Sequence, residues 1–518
     1  MIKQIRILVS PDKVDDPDEL QLLAARILKR QLDEVNAVII KKKSVDARGE
    51  PVFHLLCDVY VNDYPRGEGR QIIYKPVKGD KKIIIVGSGP GGLFAALRLI
   101  ELGIKPVILE RGKDVQTRRK DLKLIQKFDQ INPDSNYCFG EGGAGTYSDG
   151  KLYSRSVKRG DIPKILKIFA DHGANPDIQI ETHPHIGSNK LPEVIKAIRR
   201  TILNCGGEIY FNSRVTDLIM KDGKMLGVIT NDKEEYTGEA VILAAGHSAR
   251  DIFFILHKNG IRLEQKAFAM GVRIEHPQQL INEIQYHTKD KSDKLPAASY
   301  SVSFNSNDKA VYSFCMCPGG IIIPAASAPG EIVVNGMSMA KRDSQFANSG
   351  LVVSVNEKDW EAYEPGYPFG ALRYQQELER KAFEFANNTQ KAPAQRAIDF
   401  VNKKVSSTLP KSSYIPGLTS SPLHELLPDF MVKGLSNSLR YFDKRMKGYC
   451  SEDALLVGVE TRTSSPIRVT RIKETFMSPD AEGLFPCGEG AGYAGGIMSA
   501  AMDGENCANA AARYISVS

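Results

Sequence analysis

The sequence predicts an α/β chain organised around one parallel βαβ unit. Three observations carry that prediction: a β-branched run followed at once by glycines, a helical period stopped by a glycine, and a second apolar strand ending on an acid. The run Ile83 to Val86 reads as a buried parallel strand. Gly87 then permits a tight turn, Gly89 lets backbone approach a pyrophosphate, and Gly92 lets the following helix pack closely on the strand. The helix opens at Pro90 and Gly91, so its unpaired amides and positive dipole end face the same phosphates. Phe94 to Leu102 continues with helical spacing, Gly103 stops it, and Pro106 to Leu109 is the second strand, ending on Glu110 and Arg111. Glu110 falls about twenty residues beyond the glycines, where a carboxylate at a strand tip accepts hydrogen bonds from ribose hydroxyls.

Composition narrows the class around this unit. The 518 residues suffice for two to four domains, and 42% hydrophobic with 25% charged residues is ordinary for a folded globular protein. No run approaches the roughly 18 apolar residues of a membrane span, and the first ten residues lack a secretory pattern, so a cytoplasmic location and no membrane partner are expected. A net charge of +7 gives a mild bias toward anionic ligands and does not argue for nucleic acid. Eight scattered cysteines suit a reducing compartment.

Residues 1–78 read as a small α+β domain: a strand at Ile2 to Val9, a helix at Pro17 to Leu32, and strands at Ala37 to Val45 and Phe53 to Val61, a ferredoxin-like βαββ pattern. The segment Tyr64 to Lys82, rich in Gly, Pro and charge, reads as a linker. A basic helical stretch from Lys113 to Phe128 leads into FGEGGAGTYSDGKL, Phe139 to Leu152. Its glycines, Gly143 and Gly145 among them, mark a loop pressed against a ligand, and a flavin is the candidate. Ser148, Asp149 and Lys151 add a hydroxyl, a carboxylate and an ammonium in one short run, and a lysine near the flavin would stabilise its reduced, anionic form. His183 and His185, split by a proline, read as hydrogen-bonded histidines, and no metal site is expected. A hairpin around Asp222-Gly223, with Val215 on its first strand, precedes a buried strand ending in Ala244-Ala245-Gly246. His247, Ser248 and Arg250 come off that strand tip, where ligand-facing residues concentrate in open α/β sheets.

From Ile261 to Glu460 no dinucleotide motif recurs, which suggests a substrate or cap domain. Cys315 and Cys317 lie one residue apart, so in a regular strand both would face one pocket, and Asn335 to Ser338 reads as a loop at that pocket. Gln375 to Val401 and Pro422 to Met446 read as amphipathic packing helices. The last informative segment, Leu484 to Gly504, runs a short strand into Gly488, Glu489 and Gly490, and starts a small-residue helix at Gly495, Gly496 and Ile497. As a second Rossmann loop for nicotinamide it fails, because the chain ends before an acidic strand tip can follow.

VGSGPGG with its Glu110-Arg111 ending, Ala244-Ala245-Gly246 and the C-terminal glycine loop together resemble the FAD-binding half of the glutathione reductase-like flavoproteins, over roughly 81–260 and 461–518. More closely, FGEGGAGTYSDGKL, GHSARD, GVRIEHP, FCMCPGG, NGMS, ETRTSSP and GEGAGYAGGIMSAAMDG, in that order, resemble the family of uncharacterised bacterial FAD-dependent dehydrogenases along nearly the whole chain. The resemblance implies FAD as cofactor, held by Gly87, Gly89, Gly92 and Glu110 on one side and Gly488, Glu489 and Gly490 on the other. It implies a Rossmann-like FAD-binding domain of three-layer ββα type (79–260 and 461–518), an inserted α+β substrate or cap domain (261–460) and the N-terminal α+β domain. The expected activity is hydride transfer between flavin and a small organic substrate, with NAD(P)H as a transient visitor. Lys151 would tune the flavin, His247 and Arg250 would move protons and fix anions, and Arg462 would be a second anion clamp. An RNA-modifying flavoenzyme gripping nucleic acid through Lys41 to Lys43 and Arg118 to Lys127, and a non-enzymatic flavin-holding redox sensor, are the alternatives. Substrate and oligomeric state stay open.

Overall fold

The structure, a computed structural model, describes residues 1–65, 72–153, 160–306 and 309–517. The linker read at Tyr64 to Lys82 lies partly outside these residues. At the centre is a five-stranded sheet in the order Leu484–Pro486, Ala240–Leu243, Lys82–Val86, Lys105–Leu109, Glu208–Tyr210, with every neighbouring pair parallel. Strands buried on both faces need apolar side chains at every position, which is why Ile83 to Val86 and Ala240 to Leu243 show no polar alternation.

Odd and even residues of these strands feed different cores. Ile83, Ile85, Ala240 and Ile242 pack under the helices Pro90–Glu101, Leu191–Asn204 and Ile497–Val517. Ile84, Val86, Val241 and Leu243 pack against an antiparallel sheet, Val215–Lys221, Lys224–Thr230 and Glu235–Thr237, and the helix Arg250–Lys258. The first and last of the three helices approach closely enough that a Cβ on Gly504 would stand 2.1 Å from the Gly91 carbonyl oxygen. The run of alanines and glycine in the final helix therefore seats it on the turn that starts the fold.

A second, seven-stranded sheet takes the order Ser303–Ser306, Lys309–Cys317, Phe346–Val355, Phe268–Pro277, Leu455–Glu460, Ala392–Arg396, Leu418–Ser420. Its pairs are antiparallel apart from the last. Val272 and Ile274 face an apolar core capped by the helix Asp429–Arg445. Arg273, Glu275, Asn348 and Glu460, buried and polar, include side chains from the intervening positions of its central strands.

The N-terminal strands Ile2–Val9, Val35–Asp46 and Val52–Val61 form an antiparallel sheet with the third in the middle, beside the helix Pro17–Leu28. A complete ferredoxin-like unit would add a helix and a fourth strand, and among the described residues neither follows before Lys82. Its apolar residues merge with the core of the large sheet, and the Lys43 amide donates to the Ile180 carbonyl at 2.7 Å.

Three local expectations are corrected. Gln375 to Val401 is not one helix: Gly370–Phe385 ends before Asn387 and Asn388, both left-handed (φ 55° and 58°), and Ala392–Arg396 is a strand. Asparagine tolerates that conformation, and Pro393 cannot continue a helix. Pro428 likewise divides the next stretch into Leu423–Leu426 and Asp429–Arg445. Asn335 to Ser338 belongs to a strand, Val334–Ser338, paired with Gly320–Pro324.

Candidate active site

The tips of the parallel strands open into a cavity of about 640 Å³ whose far side is built by the large sheet. Its floor is mostly backbone. Gly87 has φ 100°, and a Cβ there would stand 2.5 Å from the Ala244 carbonyl oxygen, so the turn closes only without a side chain. The loop carrying Gly143 and Gly145 lies directly on this turn, since a Cβ on Gly143 would be 3.1 Å from the Gly89 Cα. Gly89 caps the helix Pro90–Glu101 with no side-chain hydrogen bond. Ile497, which begins the final helix, lines the same space. Two helix N-termini with their free amides thus face one cavity.

The sequence-predicted residues Gly87, Gly89, Pro90, Gly91, Glu110, Arg111, Gly143, Gly145, Ser148, Lys151, Val215, Ala245, Gly246, His247, Arg462, Gly488, Glu489, Gly495, Gly496 and Ile497 all line it. Gly92, Gly490 and Arg250 do not. A Cβ on Gly92 would lie 1.9 Å from the Gly87 carbonyl oxygen, and one on Gly490 would lie 2.7 Å from the Gly246 carbonyl carbon, so both serve close packing.

Arg250 is corrected more substantially. Its guanidinium is buried against Glu331 at 3.1 Å and Glu379 at 2.8 Å, and Arg462 pairs with the same two carboxylates at 3.1 and 2.9 Å. The network joins the strand-tip helix to the large sheet and holds the Arg250 guanidinium off the cavity wall. Burial pushes the Glu379 carboxyl up, but the two guanidinium groups outweigh it and leave it at about 2. Arg462 reaches the cavity while also donating to Ser327 at 2.6 Å and Ser248 at 3.2 Å.

Glu110 is also committed elsewhere. Its Oε2 accepts from the Ser88 amide and hydroxyl at 2.9 and 2.7 Å, and Oε1 from the amides of Gly112 and Gly140 at 2.9 and 3.0 Å. Four donors fill the four acceptor positions of a carboxylate. Glu110 therefore ties the glycine turn, the strand tip and the second glycine loop together while also lining the cavity. Arg111 stacks over Phe139 at 4.1 Å and pairs with Asp134 and Asp251.

His247 and Glu489 project from adjacent strand tips, Nε2 to Oε1 at 3.7 Å. Burial, with Arg462 and Arg250 behind it, holds the His247 pKa at about 3, so the imidazole is neutral. Burial raises the Glu489 carboxyl to about 7. Burial pulls the Lys151 ammonium down, yet Cys315, Cys317 and Asp149 more than offset that and it stays charged, donating to the Met316 carbonyl. Asp149 is itself paired with Arg342. The two cysteines do not face one pocket together: the strand loses register between Phe314 and Cys317, leaving Cys315 on the cavity and Cys317 buried.

The cavity wall also includes Cys138 and Ser213, which fall outside the motifs, and Asp251, Phe314 and Thr463, which lie within GHSARD, FCMCPGG and ETRTSSP but were not singled out there. The basic stretch read from Arg118 is not wholly surface: Arg118 is buried and donates to the carbonyls of Asn136, Glu141 and Gly143.

A family model described as "FAD-dependent protein, C-terminal domain-like" matches residues 267–463, and a domain of unknown function (DUF8436) matches residues 1–60. An uncharacterised protein of Clostridium beijerinckii is 40% identical, covering 94% of this chain and 95% of the relative. The chain belongs to one family with that protein, and its residues 267–463 match the FAD-dependent domain. Among solved structures, a geranylgeranyl bacteriochlorophyll reductase-like protein from Thermoplasma acidophilum is 13% identical with a TM-score of 0.36, covering 84% of this chain and 79% of that one. CtdE in complex with FAD and substrate is 13% identical with a TM-score of 0.35, covering 85% and 84%. Likeness at this level carries no argument about reaction or substrate.

The family's cofactor is FAD, and the residues present fit it. Gly246, Gly488, Gly495 and Gly496 line the cavity with nothing within 4 Å of where a Cβ would stand. Side chains there would fill the space a nucleotide needs. No helix among the described residues is long and apolar enough to cross a membrane.

Proposed function

We propose that the protein is an FAD-dependent oxidoreductase that passes a hydride between its flavin and a small organic substrate held between the parallel sheet and the large antiparallel one. This reading treats the parallel sheet with its flanking layers as a Rossmann-like FAD-binding unit and residues 261–460 as the inserted cap. One observation carries it: a single cavity joins glycine-walled strand tips to a wall of side chains, so a dinucleotide and a second molecule can share one enclosed space.

FAD, when bound, supplies the two-electron chemistry. The protein's residues divide the remaining work. The glycine turn and the two helix N-termini favour the diphosphate by amide donors and dipole. Lys151 Nζ, kept charged, favours negative charge developing on a reduced flavin. Glu489, half-protonated near neutral pH, is fitted to give or take a proton, and the neutral His247 Nε2 stands beside it as a hydrogen-bonding group. Arg462 orients Ser248 at the wall and is itself held from behind by the buried Ser327. A nicotinamide donor would enter and leave the substrate side.

Anaerobic mixing of the purified protein with NADH and with NADPH, followed by a metabolite screen for reoxidation, tests this. Bleaching of the flavin and its recovery with a substrate is the expected result. A bound flavin that no donor reduces and no metabolite reoxidises sinks the oxidoreductase reading and favours a flavin-holding sensor.

A further inference from the structure

The N-terminal sheet reaches the cavity through its edge strand Val35–Asp46. On its free side this strand bonds to the segment after Gln179: the Lys43 amide donates to the Ile180 carbonyl at 2.7 Å, and the Thr182 amide and hydroxyl both donate to the Lys43 carbonyl at 3.0 Å. The same segment then runs beside the second glycine loop. The Leu152 amide donates to the Pro184 carbonyl at 2.9 Å and the Ile186 amide to that of Gly150 at 3.1 Å, so Lys151 and His185 stand opposite each other. The His183 ring lies 5.1 Å from that of Tyr153, which lines the cavity and is half exposed. Backbone hydrogen bonds thus tie a strand of the N-terminal sheet to the rim of the cavity.

Charge on this rim is unevenly spent. The Lys43 ammonium turns to Asp15 at 3.6 Å and over the Phe53 ring. Successive side chains leave a strand on opposite faces, so Lys42 goes the other way, where it is exposed and forms no ion pair among the described residues. Burial, with Arg342 and Lys42 nearby, holds the His183 imidazole below its usual range and neutral. Of the carboxylates here, Asp149 is spent on Arg342, and burial, with Asp177 beside it, pushes the Glu181 carboxyl up. Lys42 outside and the charged Lys151 inside form the two ends of a positive path into the cavity.

We propose that the N-terminal domain forms part of the rim of the active cavity, where Lys42, beside Tyr153 and His183, receives the negatively charged end of a small organic substrate. The proposal rests on the oxidoreductase reading above and narrows its substrate class to anions. One uncommitted ammonium is a point charge, which suits a small anion. A nucleic acid needs a continuous track of cations, and Lys43, spent on Asp15, does not extend one.

Anaerobic stopped-flow reduction of the FAD-loaded protein by two small probes of opposite charge decides it: the sulfur dioxide radical anion that dithionite supplies, and the methyl viologen radical cation. At about 10 mM ionic strength, where charges act over roughly 30 Å, Lys42→Glu should slow the anion and speed the cation, each by about 3-fold. Added salt should erase both changes. Lys3→Glu makes the same change of charge on the far edge strand of the same sheet and should alter neither rate. Rates unmoved by Lys42→Glu, moved in one direction for both probes, or moved equally by Lys3→Glu overturn the proposal while leaving the oxidoreductase reading intact. Neither probe is a substrate, so opposed rate changes in a protein whose flavin no nicotinamide or metabolite reduces or reoxidises would confirm the charged rim and sink only that reading.

Discussion

The two ends of the cavity are built on opposite principles. At the strand tips the walls are glycine backbone, and selectivity comes from leaving side chains out. At the large sheet they are side chains gathered from distant segments, and selectivity comes from fixed charge. The contrast teaches that a mutation at the first end acts by adding volume, whereas one at the second acts by unbalancing electrostatics.

The largest expected effect tests the first principle where no space exists. Gly92→Ala puts a methyl group 1.9 Å from the Gly87 carbonyl oxygen, so the turn and helix must part. We expect loss of about 4 kcal/mol or more, read as a collapse of soluble, folded protein in chemical denaturation. A stable Gly92→Ala protein would break the backbone-wall account.

The next tests charge balance at the other end. Arg462→Met leaves Glu331 and Glu379 sharing one guanidinium in a buried site, and should destabilise by about 3–5 kcal/mol. Arg462→Met combined with Glu379→Gln should recover part of that loss in a double-mutant cycle. Simple additivity would mean the network is not coupled.

A third substitution separates fold from cofactor. Gly495→Leu has open space around its Cβ and should shift the apoprotein's Tm by less than about 2 °C. FAD binding, followed by flavin fluorescence, should weaken by about 100-fold or more, which corresponds to roughly 3 kcal/mol. Unchanged affinity would place the cofactor elsewhere in the cavity.

The smallest effect is a pH dependence. The Glu489 carboxyl is raised from 4.5 to about 7 in the folded chain, so between these values the native state holds a proton that the unfolded state has released. Its contribution to stability is full below pH 4.5 and is lost as pH rises through about 7. Apo Glu489→Gln should therefore lose that part of the wild-type slope in denaturant titrations across this window. His247 acts in the opposite sense, its contribution being lost as pH falls from 6.5 toward 3.

Much of the first end is legible in sequence because its signals are local. Gly87, Gly89 and Gly92 constrain neighbours within a few residues, and Gly488, Gly495 and Gly496 do the same at the other helix start. Even there, Glu110 shows the limit: its spacing marks the strand tip, but that Gly112 and Gly140 fill its acceptor positions depends on a loop thirty residues away. Arg118 reads as part of a basic surface and is instead buried under that loop.

By itself, the sequence determined the parallel βαβ unit, the strand order's apolar demand and the glycine loops that admit a dinucleotide, because period and steric permission act along the chain. Only the tertiary structure decided which charges are spent on one another and which face the cavity. Arg250, Glu331, Glu379 and Arg462 come from four separate segments, and a one-residue slip in pairing turns Cys315 outward while Cys317 stays inside. Coulomb interactions and sheet register are set by distances through space, which no linear pattern encodes.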